Sequence, residues 1–121
     1  MTFSDEDLAA LAAEEEIEIE TRAASGSTHR TIIWVVVDAG TVFVRSVNGD
    51  RGRWYLEAMS DPDVAIHVDG RRLPARAVAA PDPLSIEACS GALRTKYRTD
   101  PALRTMLREH ALPTTLRLEA A

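Results

Sequence analysis

The stretch THRTIIWVVVDAGTVFVRS, residues 28–46, holds an uncharged run from Thr31 to Val37, then a turn, then a second apolar run ending in Arg45 and Ser46. Threonine, isoleucine and valine dominate both runs, and such β-branched residues favour strands. Thr31–Asp38 is apolar on both faces, the turn falls at Asp38, Ala39 and Gly40, and Thr41–Val47 returns, which predicts a central hairpin. With Val37 facing Thr41, the register carries Thr31 opposite Val47 and brings Arg30 near Asn48. His29, Arg30 and Thr31 then lie beside Arg45, Ser46 and the loop NGDRGR, residues 48–53. Guanidinium groups, hydroxyls and glycine-rich backbone amides can together hold a phosphate. Strand ends that emerge into water account for the same residues with no ligand at all.

Outward from that hairpin, SDEDLAALAAEEE places Asp7 three residues after Ser4 and sets Leu8, Leu11 and Ala12 on one face, so an acidic amphipathic helix is expected over residues 1–15 as a peripheral element. EIEIETR alternates Ile17 and Ile19 with glutamates, the period of a half-buried strand, and AASGST breaks it. WYLEAMSDPD predicts a short helical turn ended by Pro62. Val64–Val68 and Arg71–Val78 flank Asp69-Gly70, a strong two-residue hairpin signal. Asp82 and Pro83 start a helix whose stripe is Ile86, Cys89, Leu93 and Tyr97, and Asp100-Pro101 starts a shorter one reaching about His110. Leu116 and Leu118 alternate in a last strand. The order predicts a mainly β (β+α) fold of six mostly antiparallel strands, with an N-terminal helix and two helices in the C-terminal half. So many strands on 121 residues favour a small barrel, because closure removes exposed edges.

At this length, with 45% hydrophobic residues, one domain spanning 1–121 is expected. The single cysteine, Cys89, excludes an internal disulfide, and the spacing of His29, His67 and His110 matches no metal motif. No signal peptide or membrane anchor is visible, so a cytoplasmic protein is expected. The net charge of −5 hides an asymmetry: residues 1–20 hold eight acidic and no basic side chains, which leaves 14 basic against 11 acidic over the rest. A mildly basic body suits a small anionic ligand, whereas nucleic-acid binding calls for a denser basic stripe.

The ordered set of Ser25-Gly26, Arg30–Ile33, an apolar strand, VRS (44–46), a glycine-bearing loop, RWY (53–55) and DPDV (61–64) resembles the split β-barrel flavin- and deazaflavin-dependent oxidoreductases. More narrowly, with LRTKY at Leu93–Tyr97, the chain resembles domain-of-unknown-function family 2255, related to the deazaflavin-dependent nitroreductases and the pyridoxamine phosphate oxidase-like FMN-binding split barrels. The resemblance implies a barrel, usually dimeric, that binds FMN or 8-hydroxy-5-deazaflavin in a groove. Ser25, Gly26, His29, Arg30 and Thr31 fall on or beside its first phosphate-side segment, Arg45 and Ser46 on the strand beside the ring or its phosphate tail, and Arg53, Trp54 and Tyr55 on the segment that closes the pocket. The family pattern has a glycine and two basic residues where this chain has Arg22, Ala23 and Ala24, an asparagine at Glu57 and a proline at Ile32.

In such proteins the cofactor carries the hydride and the protein supplies position and exclusion of water, so the resemblance requires no proton-transfer set. Two functions follow. The first is an FMN- or deazaflavin-dependent oxidoreductase of nitroreductase-like type, a homodimer acting on a small organic acceptor. The second is a non-catalytic dimeric module that binds a small anionic ligand or a protein partner. The remaining candidates have plainer expectations: His67 facing solvent or a cavity, Cys89 in the core, Trp34 in the core or a dimer interface, Tyr55 and Tyr97 packed with wet hydroxyls, Asp61 and Asp63 as turn and cap residues, and Arg94, Lys96 and Arg98 on a solvated helix face.

Overall fold

The computed structural model describes residues 2–121. Helix α1 (Asp5–Ala13) starts where Ser4 Oγ accepts from the Asp7 amide, and its only fully buried residue is Leu11. Strands β1 (Ile17–Arg22) and β2 (Thr28–Ile33) pair antiparallel, with Ile17, Ile19 and Thr21 inward and the glutamates outward. Short β3 (Val36–Asp38) and β4 (Thr41–Val44) form a hairpin. A 3-10 turn (Gly49–Arg51) leads into α2 (Arg53–Ser60), which is a full helix rather than a single turn. Then come β5 (Asp63–Val68), β6 (Arg71–Ala79), α3 (Pro83–Lys96), α4 (Leu103–Met106) and β7 (Leu116–Ala120). The Asp69-Gly70 turn has both φ angles positive, +52° and +71°, and joins β5 to β6 in the predicted register.

The sheet has seven strands in the order β2-β1-β5-β6-β7-β4-β3, every pairing antiparallel. The seventh strand appears because the predicted Thr31–Asp38 strand breaks at Trp34-Val35 into β2 and β3. These two halves are the two edges of the sheet. Two residues of chain cannot span a flat seven-stranded sheet, so the sheet must curl until its edges meet: the bend is what makes it a half-barrel. The hairpin of the opening stretch is therefore at the edge and not central. Its register also differs by one, with Asp38 rather than Val37 facing Thr41. Thr31 pairs with Ile19 and Arg30 with Glu20, not with Val47 or Asn48.

The barrel interior is filled by Ile17, Ile19, Ile33, Val35, Val42, Val44, Ile66 and Leu116, joined by Leu11 of α1 and Trp54 and Ala58 of α2. A second apolar cluster, Val36, Phe43, Cys89, Leu93, Tyr97 and Met106, joins β3 and β4 to α3 and α4. No helix among the described residues is long and apolar enough to cross a membrane.

Candidate functional site

The bend at Trp34-Val35 leaves a groove of about 300 Å3 where the barrel edges meet. One side is Thr31, Ile32, Ile33 and Trp34, with Glu16 beside them, and the other is Arg45, Val47 and Asn48, following β4. Trp54 of α2 contributes an aromatic wall, and Ala102, Thr105 and Met106 bring α4 over the groove. Thr31 and Arg45 thus meet, as expected from the sequence, but the curl of the sheet joins them and not the register of a shared hairpin.

Arg45 is the most unusual member of this wall, being 1% exposed. Its Nε donates to Thr115 Oγ1 at 3.0 Å, Nη1 to Ser90 Oγ and the Met106 carbonyl, both at 3.0 Å, and Nη2 to the Ile86 carbonyl at 3.1 Å. Those bonds tie the end of β4 to α3, α4 and the segment before β7 and leave one Nη2 hydrogen of the five guanidinium hydrogens. All of these partners are neutral, and no ion pair among the described residues includes Arg45. Burial accordingly holds its pKa below the ordinary arginine value. A desolvated cation without an anion is costly, and a ligand anion in the groove would offset that cost.

The other predicted site residues divide. Arg53 donates from Nη2 to Thr31 Oγ1 at 3.4 Å, an exposed contact that sets it beside the groove wall without lining it. Trp54 lines it, and Tyr55 packs edge-on against Trp54 with ring centroids 6.3 Å apart. Ser46 is buried next to Arg45, its amide donating to Thr114 Oγ1 at 3.0 Å, while its own Oγ has no partner. His29 lies one step further along the inward face of β2, with Nδ1 2.9 Å from Glu57 Oε2. Glu57 also accepts from Thr21 Oγ1 at 2.7 Å. Burial pushes the Glu57 carboxyl up, but the bonds from Thr21 and His29, together with the nearby charge of Arg53, outweigh it and hold its pKa below the ordinary value. Arg30 points to the opposite face of β2 and pairs with Glu18 at 2.8 Å. Ser25 and Gly26 sit in the exposed β1–β2 turn, at the far end of the hairpin from Ile33.

Several wall residues escaped the sequence reading. Ala102, Thr105 and Met106 return from a segment more than fifty residues away, and no local pattern announces that return. Trp34 carried a faint signal, as the one aromatic in an otherwise aliphatic run. Lys96 is not on a solvated face: its Nζ donates to the carbonyls of Leu11 at 3.0 Å and Val35 at 2.7 Å. The Tyr97 hydroxyl is not wet, since it donates to the Glu15 carbonyl at 2.6 Å. His67 Nε2 lies 2.8 Å from Glu20 Oε1 on the outer face. Cys89 is fully buried, and burial pushes its thiol up to about 11, which makes it an inert core residue.

A curled antiparallel sheet with a groove at its meeting edges is a split β-barrel. The chain belongs to the family described as an uncharacterized protein conserved in bacteria, DUF2255, whose model matches residues 7–118. No curated protein matches it in sequence. Among solved structures it is similar to a conserved hypothetical protein from Mycobacterium tuberculosis, with a TM-score of 0.73 and 14% identity over 100% of this chain and 81% of that one. It is also similar to HutZ, the heme storage protein from Vibrio cholerae, with a TM-score of 0.68 and 13% identity over 100% and 92% of the two chains. An F420-H2 dependent reductase has a TM-score of 0.67 and 18% identity over 88% and 95%. At these identities the likeness concerns the fold.

Proposed function

We propose that the groove binds a flavin-type cofactor, FMN or 8-hydroxy-5-deazaflavin, and that this protein is an oxidoreductase of nitroreductase-like type that reduces a small organic acceptor in the cytoplasm. The observation that carries this reading is Arg45, a buried cation without a carboxylate, set in a groove walled by two tryptophans. Aromatic walls suit a flat ring, and the uncompensated charge suits its anionic tail. When bound, such a ring supplies the hydride chemistry itself.

The chain's own residues hold and shield. Trp34 and Trp54 would flank the ring, Thr31 and Arg53 would donate to its polar groups, and Arg45 would offset its negative charge. Ile33, Val47 and Met106 exclude water from the same space. The F420-H2 dependent reductase of like fold supports the reading. A heme, as held by HutZ, suits this groove less well: among its wall residues there is no histidine, cysteine or tyrosine to ligate iron, and Met106 supplies the only thioether. Ile32 and Val47 are 62% and 42% exposed at the groove rim, an apolar edge that suits a second copy of the chain. A dimer mass by light scattering checks that part.

Absorbance titration with FMN and with the deazaflavin tests the cofactor. Saturable binding with a shifted band is expected, and Arg53→Ala should weaken it by about tenfold without loss of fold. Failure of both cofactors to bind at about tens of micromolar overturns the reading in favour of a non-catalytic module for another small anion or a protein partner.

A further inference from the structure

We propose that Lys96 is an imine-forming amine that captures small uncharged aldehydes in a depression between α1, β3 and α3. It is the only lysine in a chain with thirteen arginines. A guanidinium stays protonated near neutrality, whereas a lysine that loses its proton is a nucleophile for carbonyl groups.

The surroundings of Nζ favour that loss. It donates to the Leu11 carbonyl at 3.0 Å and to the Val35 carbonyl at 2.7 Å, and among the described residues it has neither a third acceptor nor an ion-pair partner. An ammonium has three hydrogens and a neutral amine two, so both carbonyls are satisfied in either state. The remaining tetrahedral position then holds a lone pair in place of a hydrogen. Around the amine, Glu14 and Glu15 follow α1 and favour the charged form, and the Tyr97 ring centroid lies 5.3 Å away. Asp38 and Asp100 stand on the walls of two depressions that share Lys96. Burial outweighs the two glutamates and brings the pKa down to about 8. About a quarter of the side chain is then neutral at pH 7.5, against about a thousandth of an ordinary lysine.

The depression on the β3 side, about 380 Å3, gives an aldehyde a place beside the amine. Its walls include Ala12, Val36, Val37, Gly91 and Ala92, all apolar and mostly small. A Cβ on Gly91 would meet nothing within 4 Å. Asp38 on one wall, with Glu14 and Glu15 nearby, opposes an aldehyde that carries a carboxylate. In the reaction the Nζ lone pair attacks the carbonyl carbon, and a C=N bond replaces C=O. The two amine hydrogens leave with the carbonyl oxygen as water, and nothing is oxidised or reduced. A proton taken from solvent by the imine nitrogen restores the positive charge and one N–H donor for the backbone carbonyls.

Propanal with cyanoborohydride, added to the full chain at about pH 7.5, traps the imine as a secondary amine. Peptide mapping by mass spectrometry reads the label at Lys96 and separates it from the N-terminal amine, with Nα-acetyllysine amide in the same tube as the ordinary lysine. Lys96 should be labelled at least about fivefold faster than this reference, the larger share of free base being partly offset by the weaker nucleophilicity of a less basic amine. Equal or slower labelling overturns the proposal. Gly91→Leu fills the depression without touching the Lys96 bonds and should slow labelling by at least about threefold. A Gly91→Leu chain with native circular dichroism and the native rate overturns the proposal as well. Glyoxylate probes the same space on the unaltered chain, so the test survives a variant that fails to fold. Its rate at Lys96, relative to the reference lysine, should be at least about threefold below the ratio for propanal. A glyoxylate ratio as high as that of propanal overturns the proposal.

Discussion

Trp34 and Tyr97 stack face to face, with ring centroids 3.9 Å apart and planes within 5°. This contact holds the bend that converts one strand into two sheet edges. The Tyr97 hydroxyl adds to it, donating to the Glu15 carbonyl at 2.6 Å and accepting from the Val35 amide at 3.4 Å. Tyr97→Phe keeps the stack and leaves those buried partners unpaired, a loss of about 1–2 kcal/mol. Tyr97→Ala also removes the ring and should cost about 3–5 kcal/mol. Urea unfolding of the two variants measures both steps, and equal losses would mean that the hydroxyl alone holds the bend.

Lys96 works at the same place. Its ammonium caps the end of α1 through the Leu11 carbonyl and grips the bend through Val35, and burial pushes its pKa from 10.5 down to about 8. Because the folded value lies below the unfolded one, the unfolded chain binds more protons between these limits, so this group's contribution to stability rises with pH through the window. Cys89 and Tyr97 oppose it, since burial pushes them from 9.0 to about 11 and from 10.0 to about 12, and each costs stability as pH climbs past its lower figure. The comparison that isolates Lys96 is with Lys96→Met. Between pH 8 and 9 the native chain should gain stability relative to that variant, and parallel pH profiles would refute the assignment.

Glu20 makes the acid limb. It accepts from Arg72 Nη2 at 2.9 Å and lies 2.8 Å from His67 Nε2, and these bonds hold its carboxyl down from 4.5 to about 2. The unfolded chain takes up this proton first, so the stability it contributes is lost as pH falls from 4.5 toward 2. The Arg72 side of the network is exposed, so Glu20→Gln should cost only about 0.5–1 kcal/mol near neutrality. The variant should unfold less steeply on acidification, as followed by circular dichroism.

These elements were not equally legible in the sequence. Asp69-Gly70 carries its own turn geometry, and Asp82-Pro83 marks a helix start that the structure shows, with Asp82 Oδ2 accepting from the Ser85 amide. The break at Trp34-Val35 was not legible, because a run apolar on both faces has no periodicity to interrupt. What decides it is the stacking of Tyr97, sixty-three residues away, with Lys96 beside it. Burial of Arg45 was hidden for the same reason: its four acceptors come from α3, α4 and the segment before β7, and nothing near VRS distinguishes a strand-end arginine in water from one in the core.

The turn between β3 and β4 tests a local rule in isolation. Ala39 has φ +49° and Gly40 φ +84°, the paired left-handed geometry of a tight hairpin. Glycine adopts it freely, whereas alanine pays for its Cβ, and asparagine tolerates it through a short polar side chain. Ala39→Asn should stabilise the protein by about 0.5–1 kcal/mol, visible as a later urea midpoint with an unchanged slope.

Arg45 links stability to the site. Arg45→Leu removes the guanidinium and leaves the Ile86 and Met106 carbonyls and the Ser90 and Thr115 hydroxyls without this donor, but it also removes a desolvated charge. Each orphaned buried acceptor costs about 1–3 kcal/mol, while replacing a buried charge by an apolar group recovers about 1–4 kcal/mol. Arg45→Lys keeps the charge and the desolvation, yet one ammonium cannot reach four acceptors spread around a planar fork. The lysine variant should therefore be the less stable of the two, by about 1–2 kcal/mol in urea unfolding. A reversed order would show that the fold depends on the positive charge itself. In the stable order, an anionic ligand should raise the melting temperature of the native chain more than that of Arg45→Leu, since the leucine has no charge for the ligand to offset.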